Sequence, residues 1–362
     1  MIQKSVIKKF IEIHFPLGAC NMQCSYCYVG QHSKEMKKMN YSVEEIRKAF
    51  SRKRLGGICL INICSDGETM IHPDMPSIIR ALLEEGHYVM VVTNGTMTNR
   101  FKECLSFPDK ILSHLFFKIS FHYEEMEKSH MLDIFFDNVR MLKESPCSLT
   151  IEYIVCDDTW GNIEQFKEIC MKQLGTYPQM NMPRDSRKNS LGICSVYSWK
   201  NYIKKYEQLG IPSEFFDFRQ QMFGKKYNKF CYAGQRSLWV NMGTGCSYQC
   251  YALPPLQYFM DYHKPIRWLA IGDHCNVAHC YSNHAFMTLG VTSCLEGSDY
   301  QPTYDEIRDR KTIDGTSWLK ADFKRIFKEG VSRREYNVTE KKIVNRLNVF
   351  LKWYRRKYPF KK

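Results

Sequence analysis

Cys20, Cys24 and Cys27 stand in C-x3-C-x2-C spacing just after an apolar stretch, with Tyr26 directly before the last thiol. Clustered thiols at such spacing point to metal binding. Iron–sulfur clusters are normally closed by four cysteines, and this triplet supplies three. A 4Fe–4S cluster on three thiolates would keep one iron open for a further ligand. Two other causes compete. Zinc sites draw four ligands from paired C-x2-C or Cys/His units. A redox dithiol needs only C-x2-C and leaves Cys20 idle.

Polar residues that could serve such a loop follow at intervals: Ser65-Asp66-Gly67-Glu68, Thr93-Asn94-Gly95-Thr96, then Ser120 and His122. A second crowd of cysteines runs from Cys231 through Cys246, Cys250, Cys275 and Cys280 to Cys294. His122 and His284 are the candidates for holding substrate or moving protons, since imidazole titrates near neutral pH. A structural, hydrogen-bonded histidine is the competing reading of each. Cys59, Cys104, Cys147, Cys156 and Cys170 sit singly in apolar segments, where free cysteine behaves as a small buried hydrophobe.

The elements that must position these groups alternate in type. Phe10 to Leu17, Ile58 to Ile63, His87 to Thr93, Leu115 to Phe121 and Leu149 to Val155 read as strands, and Met180 to Pro183 as a sixth. Helical periodicity lies between them, over Ser42 to Ser51, Met75 to Glu85, Phe135 to Lys143 and Ile163 to Gln173, with Ser42 placed as an N-cap. Repeated βα units call for a parallel sheet with helices outside it. Ligands in such sheets bind at the carboxyl ends of the strands, and every polar group named above through His122 follows a strand. Six units are too few for a closed eight-stranded barrel.

The sequence has 362 residues, 16 cysteines and a formal net charge of +14. In a reducing compartment the cysteines are not expected to form a disulfide framework. No apolar run is long enough to span a bilayer and no signal peptide is evident, so a cytoplasmic protein without a membrane partner is expected. Residues 301–362 carry 18 Lys plus Arg against 8 Asp plus Glu, a surplus of 10. Such a segment could meet nucleic acid, an acidic peptide or a phosphorylated substrate, or simply be a solvated helix face. Its last helix carries Ile343, Leu347, Phe350, Leu351 and Tyr354, read as a face that docks on the body.

The triplet with its aromatic Tyr26 resembles the C-x3-C-x-Φ-C motif of the radical S-adenosylmethionine (radical SAM) superfamily. Asp66-Gly67-Glu68 is similar to the superfamily's Gly-Gly-Glu after the second strand, with Asp66 in place of the first glycine. Thr93-Asn94-Gly95-Thr96 resembles its Thr-Asn-Gly segment, and Ser120 a polar position after the fourth strand. These likenesses span about half the chain. The resemblance implies an α/β fold with a partial (β/α)6 radical SAM barrel. It implies a 4Fe–4S cluster on Cys20, Cys24 and Cys27, with S-adenosylmethionine on the open iron. Tyr26, Asp66, Gly67, Glu68, Thr93, Asn94 and Ser120 would bind that cofactor, the Glu68 carboxylate taking its amino group. One electron from a low-potential donor, such as a flavodoxin or ferredoxin, would cleave the cofactor to a 5′-deoxyadenosyl radical. That radical would abstract a substrate hydrogen. A glycine-only conformation at position 66 would be strained by the aspartate.

Cys231, thirteen further residues, Gly245, four more and Cys250 look like the start of a SPASM or Twitch extension. The C-x2-C-x5-C-x3-C run of full SPASM modules is missing, so the shorter Twitch type, with one auxiliary 4Fe–4S cluster, is the closer likeness. Cys231, Cys250, Cys275 and Cys280 would be its ligands, with Cys246 and Cys294 spare or substituting and His279 a neighbour. A structural zinc site is the competing account. The expected organisation is 1–190 barrel, 191–229 bridge, 230–300 cysteine-rich Twitch-like module and 301–362 basic C-terminal helical segment. The Twitch likeness implies peptide or protein modification. Against it, only nineteen residues precede Cys20, too few for the amino-terminal recognition domain of many peptide maturases. Oxidation or epimerisation of a small molecule, such as a sugar or nucleotide-linked metabolite, is the alternative. A non-enzymatic metal-binding module that meets nucleic acid is a third.

Overall fold

The computed structural model describes residues 6–29, 39–185, 192–273, 275–277, 279–280, 282–294 and 301–357. The boundary expected at 190/191 and the last residues of the cysteine-rich segment, 295–300, lie outside the described residues. Strands β1 (Phe10–Phe15), β2 (Leu60–Ser65), β3 (Tyr88–Thr93), β4 (Leu115–Phe121), β5 (Ser148–Ile154) and β6 (Gln179–Asn181) lie side by side in that order, all parallel. The sheet does not close. Beyond β1 it continues into Ser237–Asn241, parallel to β1, and then the antiparallel pair Cys246–Tyr248 and Pro255–Tyr258. The fold is therefore an α/β partial barrel with a helical C-terminal segment. The strand Ser237–Asn241 was not expected from periodicity. Its residues sit among turns and cysteines, and its place beside β1 is a long-range pairing.

Period-two alternation gives each strand two faces. Ile11, Ile13, Ile61, Ile63, Val89, Val91, Phe117 and Ile119 bury one face under the connecting helices. Among these, Met75–Glu84 turns Ile78, Ile79, Leu82 and Leu83 inward. Val43–Ala49 begins at Ser42 as expected, and the cap is reciprocal with Glu45.

The other face lines the barrel interior. Near the strand starts Phe10, Leu60, Met90 and Phe116 pack against Tyr304, Ile307, Phe323 and Phe327. Each such phenylalanine stabilises the fold by roughly 1.5–3 kcal/mol when fully buried. This apolar floor closes the amino end and leaves the carboxyl end of the strands for ligands.

The final helix, Val338–Lys357, corrects an expectation. Val344 and Leu351 pack with Phe230 and Tyr232. Ile343, Leu347, Phe350 and Tyr354 are instead about half exposed. The contact face is rotated about one residue from the apolar stripe, because Asn345 and Asn348 make hydrogen bonds to Asp273 and the Ala270 carbonyl.

Candidate active site

The loop after β1 carries the triplet, and the Cys27 N–H donates to the Cys24 carbonyl at 3.1 Å, turning the chain back on itself. The residues between the thiols hold this loop to the strand-end loops around it. Asn21 donates to Thr96 Oγ1 at 2.9 Å and accepts from Asn94 Nδ2 at 2.7 Å. The Gln23 N–H donates to Glu125 Oε1 at 3.0 Å, and Ser25 Oγ to Asp158 Oδ2 at 3.1 Å. Tyr26 Oη is 2.7 Å from His122 Nδ1. Sequence reasoning passed over Asn21, Gln23 and Ser25. Their polarity inside the cysteine motif was the available signal.

The loop after β2 is pressed against the same segment. The Glu68 N–H donates to the Ala19 carbonyl at 2.9 Å. Gly67 has φ +148°, and a Cβ there would stand 2.1 Å from that carbonyl oxygen, so only glycine fits. Asp66, in contrast, is not among the non-glycine residues with positive φ, so the substitution imposes no such strain. Its carboxylate lies 2.7 Å from His14 Nε2.

Glu68 is buried, and its carboxylate joins two loops. Oε1 accepts from Thr93 Oγ1 at 2.6 Å and the Met70 N–H at 2.9 Å, while Oε2 accepts from the Asn94 N–H at 2.6 Å. Three bonds use most of the acceptor capacity of a carboxylate. The side chain thus clamps the β2 and β3 loops together while lining the cavity between them. Burial raises its pKa, and the three hydrogen bonds pull the other way.

Cys20, Cys24, Tyr26, Cys27, Gly67, Glu68, Thr93, Asn94, Ser120 and His122 line one cavity of about 170 Å³. Of the expected cofactor residues, Asp66 does not line it. Burial, then Cys27, Glu125 and Cys20, push the Cys24 thiol up to about 12. Burial alone lowers His122 to about 4, while burial first, then Cys24, Cys156 and Glu124, raises Tyr26 well above the usual phenol range. Neutral His122 and the Tyr26 hydroxyl thus share a hydrogen bond. Among the described residues no three His, Cys, Asp or Glu stand close enough to share one metal ion. Thiolates of a cluster each bind a different iron and stand farther apart.

The second set of cysteines also converges. Cys231, Cys250, Cys275, Cys280 and His279 line a narrow cavity of about 20 Å³ with Tyr227, Ile271 and Phe286. Cys246 and Cys294 do not line it. Burial pushes Cys250 up to about 12, and lifts Cys231 and Cys280 as well. His284 lies apart from both cavities, against the Phe215 ring at 5.6 Å. Burial first, then Lys118, Arg308 and Arg219, lowers its pKa well below the usual imidazole value.

Over 89 residues the chain is 30% identical to the 7-carboxy-7-deazaguanine synthase of Aquifex aeolicus (strain VF5). That match spans 24% of this chain and 37% of the relative, well under two thirds of its length. Streptococcus suis SuiB bound to S-adenosylmethionine overlays with a TM-score of 0.47 at 14% identity, covering 72% of this chain and 67% of that one. The protein anSMEcpe with bound AdoMet overlays with a TM-score of 0.46 at 14% identity, covering 79% and 81%. Overlays of this size say nothing about substrate. The sequence model of the radical SAM superfamily matches residues 15–169, which hold the triplet, the Glu68 clamp and β2 to β5. Residues 15–169 of this chain are a radical SAM domain.

Proposed function

We propose that this chain is a radical SAM enzyme that modifies a peptide or protein substrate. The carrying observation is that Cys20, Cys24 and Cys27 face the Glu68, Thr93, Asn94 and Ser120 loops across one cavity at the strand carboxyl ends. The donor set fits a 4Fe–4S cluster on the three thiolates, with S-adenosylmethionine beside it. When bound, that pair supplies one-electron cleavage of the cofactor and removal of a substrate hydrogen. The chain's part is to bind, orient and exclude water. Glu68 ties the two loops that shape the cavity, Asn21 holds the cysteine loop to Asn94, and His122 fixes the Tyr26 ring. Ser120 and Asn94 offer hydrogen bonds to the methionine end of the cofactor. A low-potential flavodoxin or ferredoxin would deliver the electron.

Cys231, Cys250, Cys275 and Cys280 are proposed to hold a second, auxiliary 4Fe–4S cluster. Four thiols around one cavity support that reading, and the Twitch likeness behind it favours peptide work. The alternative, oxidation or epimerisation of a small molecule, draws on the short match to 7-carboxy-7-deazaguanine synthase. The test is anaerobic incubation of reconstituted protein with dithionite and S-adenosylmethionine. Formation of 5′-deoxyadenosine is expected, and a cluster-replete sample that makes none would sink the enzyme reading. A peptide substrate should raise that turnover and change mass. Stimulation by small metabolites alone would overturn the peptide assignment.

A further inference from the structure

Midway up the barrel interior, above the apolar floor, the side chains are charged. Lys118 on β4 and Arg308 both pair with Glu152 on β5, Lys118 at 3.2 Å. Glu152 Oε2 also accepts from Asn181 Nδ2 at 3.3 Å, and Asn181 Oδ1 accepts from Arg219 Nη1 at 2.7 Å. Three cations thus share one carboxylate. Arg219, Arg308 and His284 also surround a single ring, Phe215, at 5.7, 4.4 and 5.6 Å. Among the described residues Glu12, which bonds to Trp239, also senses Lys118, and burial favours the uncharged form of both, with Glu152 pulling Lys118 back toward its charged form.

The positive charge is therefore in surplus where it is costly. Arg308 is fully buried against the Tyr304 ring at 4.9 Å, and among the described residues its Nε and Nη2 have no partner within hydrogen-bond distance. His284 Nδ1 has none either. Among the described residues Arg219 makes a single hydrogen bond, to a neutral amide. Burial first lowers its pKa to about 10, and Arg184 and Arg308 act in the same direction against Glu152. A buried charge without a partner costs several kcal/mol, and an anion that accepts from it offsets that cost.

The cluster also has a place between the two cysteine sites. Glu152 pairs in register with Ser120, and Asn181 with Ile154, and both Ser120 and Ile154 line the first cavity. On the other side, the helix Glu214–Met222 that carries Arg219 ends at Phe223, whose ring lies 6.3 Å from that of His279 in the second cavity.

We propose that the substrate carries an anionic group, a carboxylate or a phosphate, that seats in the barrel interior against Arg219 and Lys118. The inference rests on the radical SAM reading of the cavity above it and names the substrate class that reading leaves open. Arg219 supplies the fork of donors that matches either anion, and Lys118 a point charge.

The test is calorimetric titration of the reconstituted protein, saturated with S-adenosylmethionine, with inorganic phosphate and separately with glutarate. Saturable binding of at least one is expected. Phosphate alone would mark a phosphorylated substrate, glutarate alone a carboxylate-bearing one. Arg219→Gln should weaken the binding about tenfold or more, and Lys118→Met should weaken it less. No saturation of the wild-type protein by either anion up to about 10 mM would overturn the proposal. So would undiminished binding by both variants, or binding seen only in a parallel titration without S-adenosylmethionine, which would assign the site to the cofactor. The wild-type titration decides alone if the variants do not fold. Anion binding with no 5′-deoxyadenosine would remove the enzyme reading and leave the anion site standing.

Discussion

The two cysteine sites differ in what surrounds the thiols. Around Cys20, Cys24 and Cys27 the polar side chains Glu68, Thr93, Asn94, Ser120 and His122 of the strand ends join the apolar Met22, Val92 and Ile154. Around Cys231, Cys250, Cys275 and Cys280 they include Tyr227, Ile271, Val277 and Phe286, and the cavity is about 20 Å³ against about 170 Å³. Three thiolates beside polar space suit a cluster that takes a further ligand. Four thiolates walled by apolar side chains suit a cluster that is closed.

The largest expected effect breaks that comparison outright. Cys24→Ala should reduce 5′-deoxyadenosine formation to background, while Cys275→Ala retains it. The reverse pattern would mean that the two sites have been assigned the wrong way round. Iron analysis sharpens the same contrast: reconstituted wild-type protein should hold about eight irons and Cys275→Ala about four. About four in the wild type would remove the second cluster.

A smaller effect is expected from the clamp. Glu68→Ala leaves the Met70 and Asn94 N–H groups without their acceptor. Each unsatisfied buried group costs about 1–3 kcal/mol, so urea unfolding should show a loss of that order. Cofactor affinity should fall with it, and unchanged stability would mean that the loops do not depend on the carboxylate. Tyr26→Phe removes one hydrogen bond to His122 and should cost about 1 kcal/mol in the same assay.

The last prediction concerns pH. Burial depresses the pKa of both His87 and His284 below the usual 6.5. Below pH 6.5 the unfolded chain binds protons that these folded imidazoles refuse, so stability falls as pH falls. The slope approaches about 1.4 kcal/mol per pH unit for each such histidine. His87 donates or accepts at both ring nitrogens, to the Phe50 carbonyl and from the Cys59 N–H. His87→Gln should therefore flatten the slope between pH 6.5 and 5 in denaturant titrations. An unchanged slope would show that His87 is not the group responsible.

Much of the barrel was legible because its signals are local. β4 runs from Leu115 to Phe121 as periodicity alone expects, and the other five strands of the parallel run differ by at most two residues at either end. The triplet announced itself by spacing. The strand Ser237–Asn241 was illegible because five residues carry little periodicity, and its partner β1 lies over two hundred residues away. The final helix misled for a related reason. An apolar stripe shows which side could be buried, but hydrogen bonds from Asn345 and Asn348 chose the side that is.

The sequence by itself determined the thiol spacing, the βα alternation and hence the rim on which the polar loops gather. These follow from chain chemistry over a few residues. Only the tertiary structure decided what the side chains do there. It made Glu68 a clamp between two loops, paired buried His122 with the Tyr26 hydroxyl, and set three cations around Glu152. Hydrogen-bond partners and burial belong to residues far apart in sequence, and neither exists until the strands are side by side.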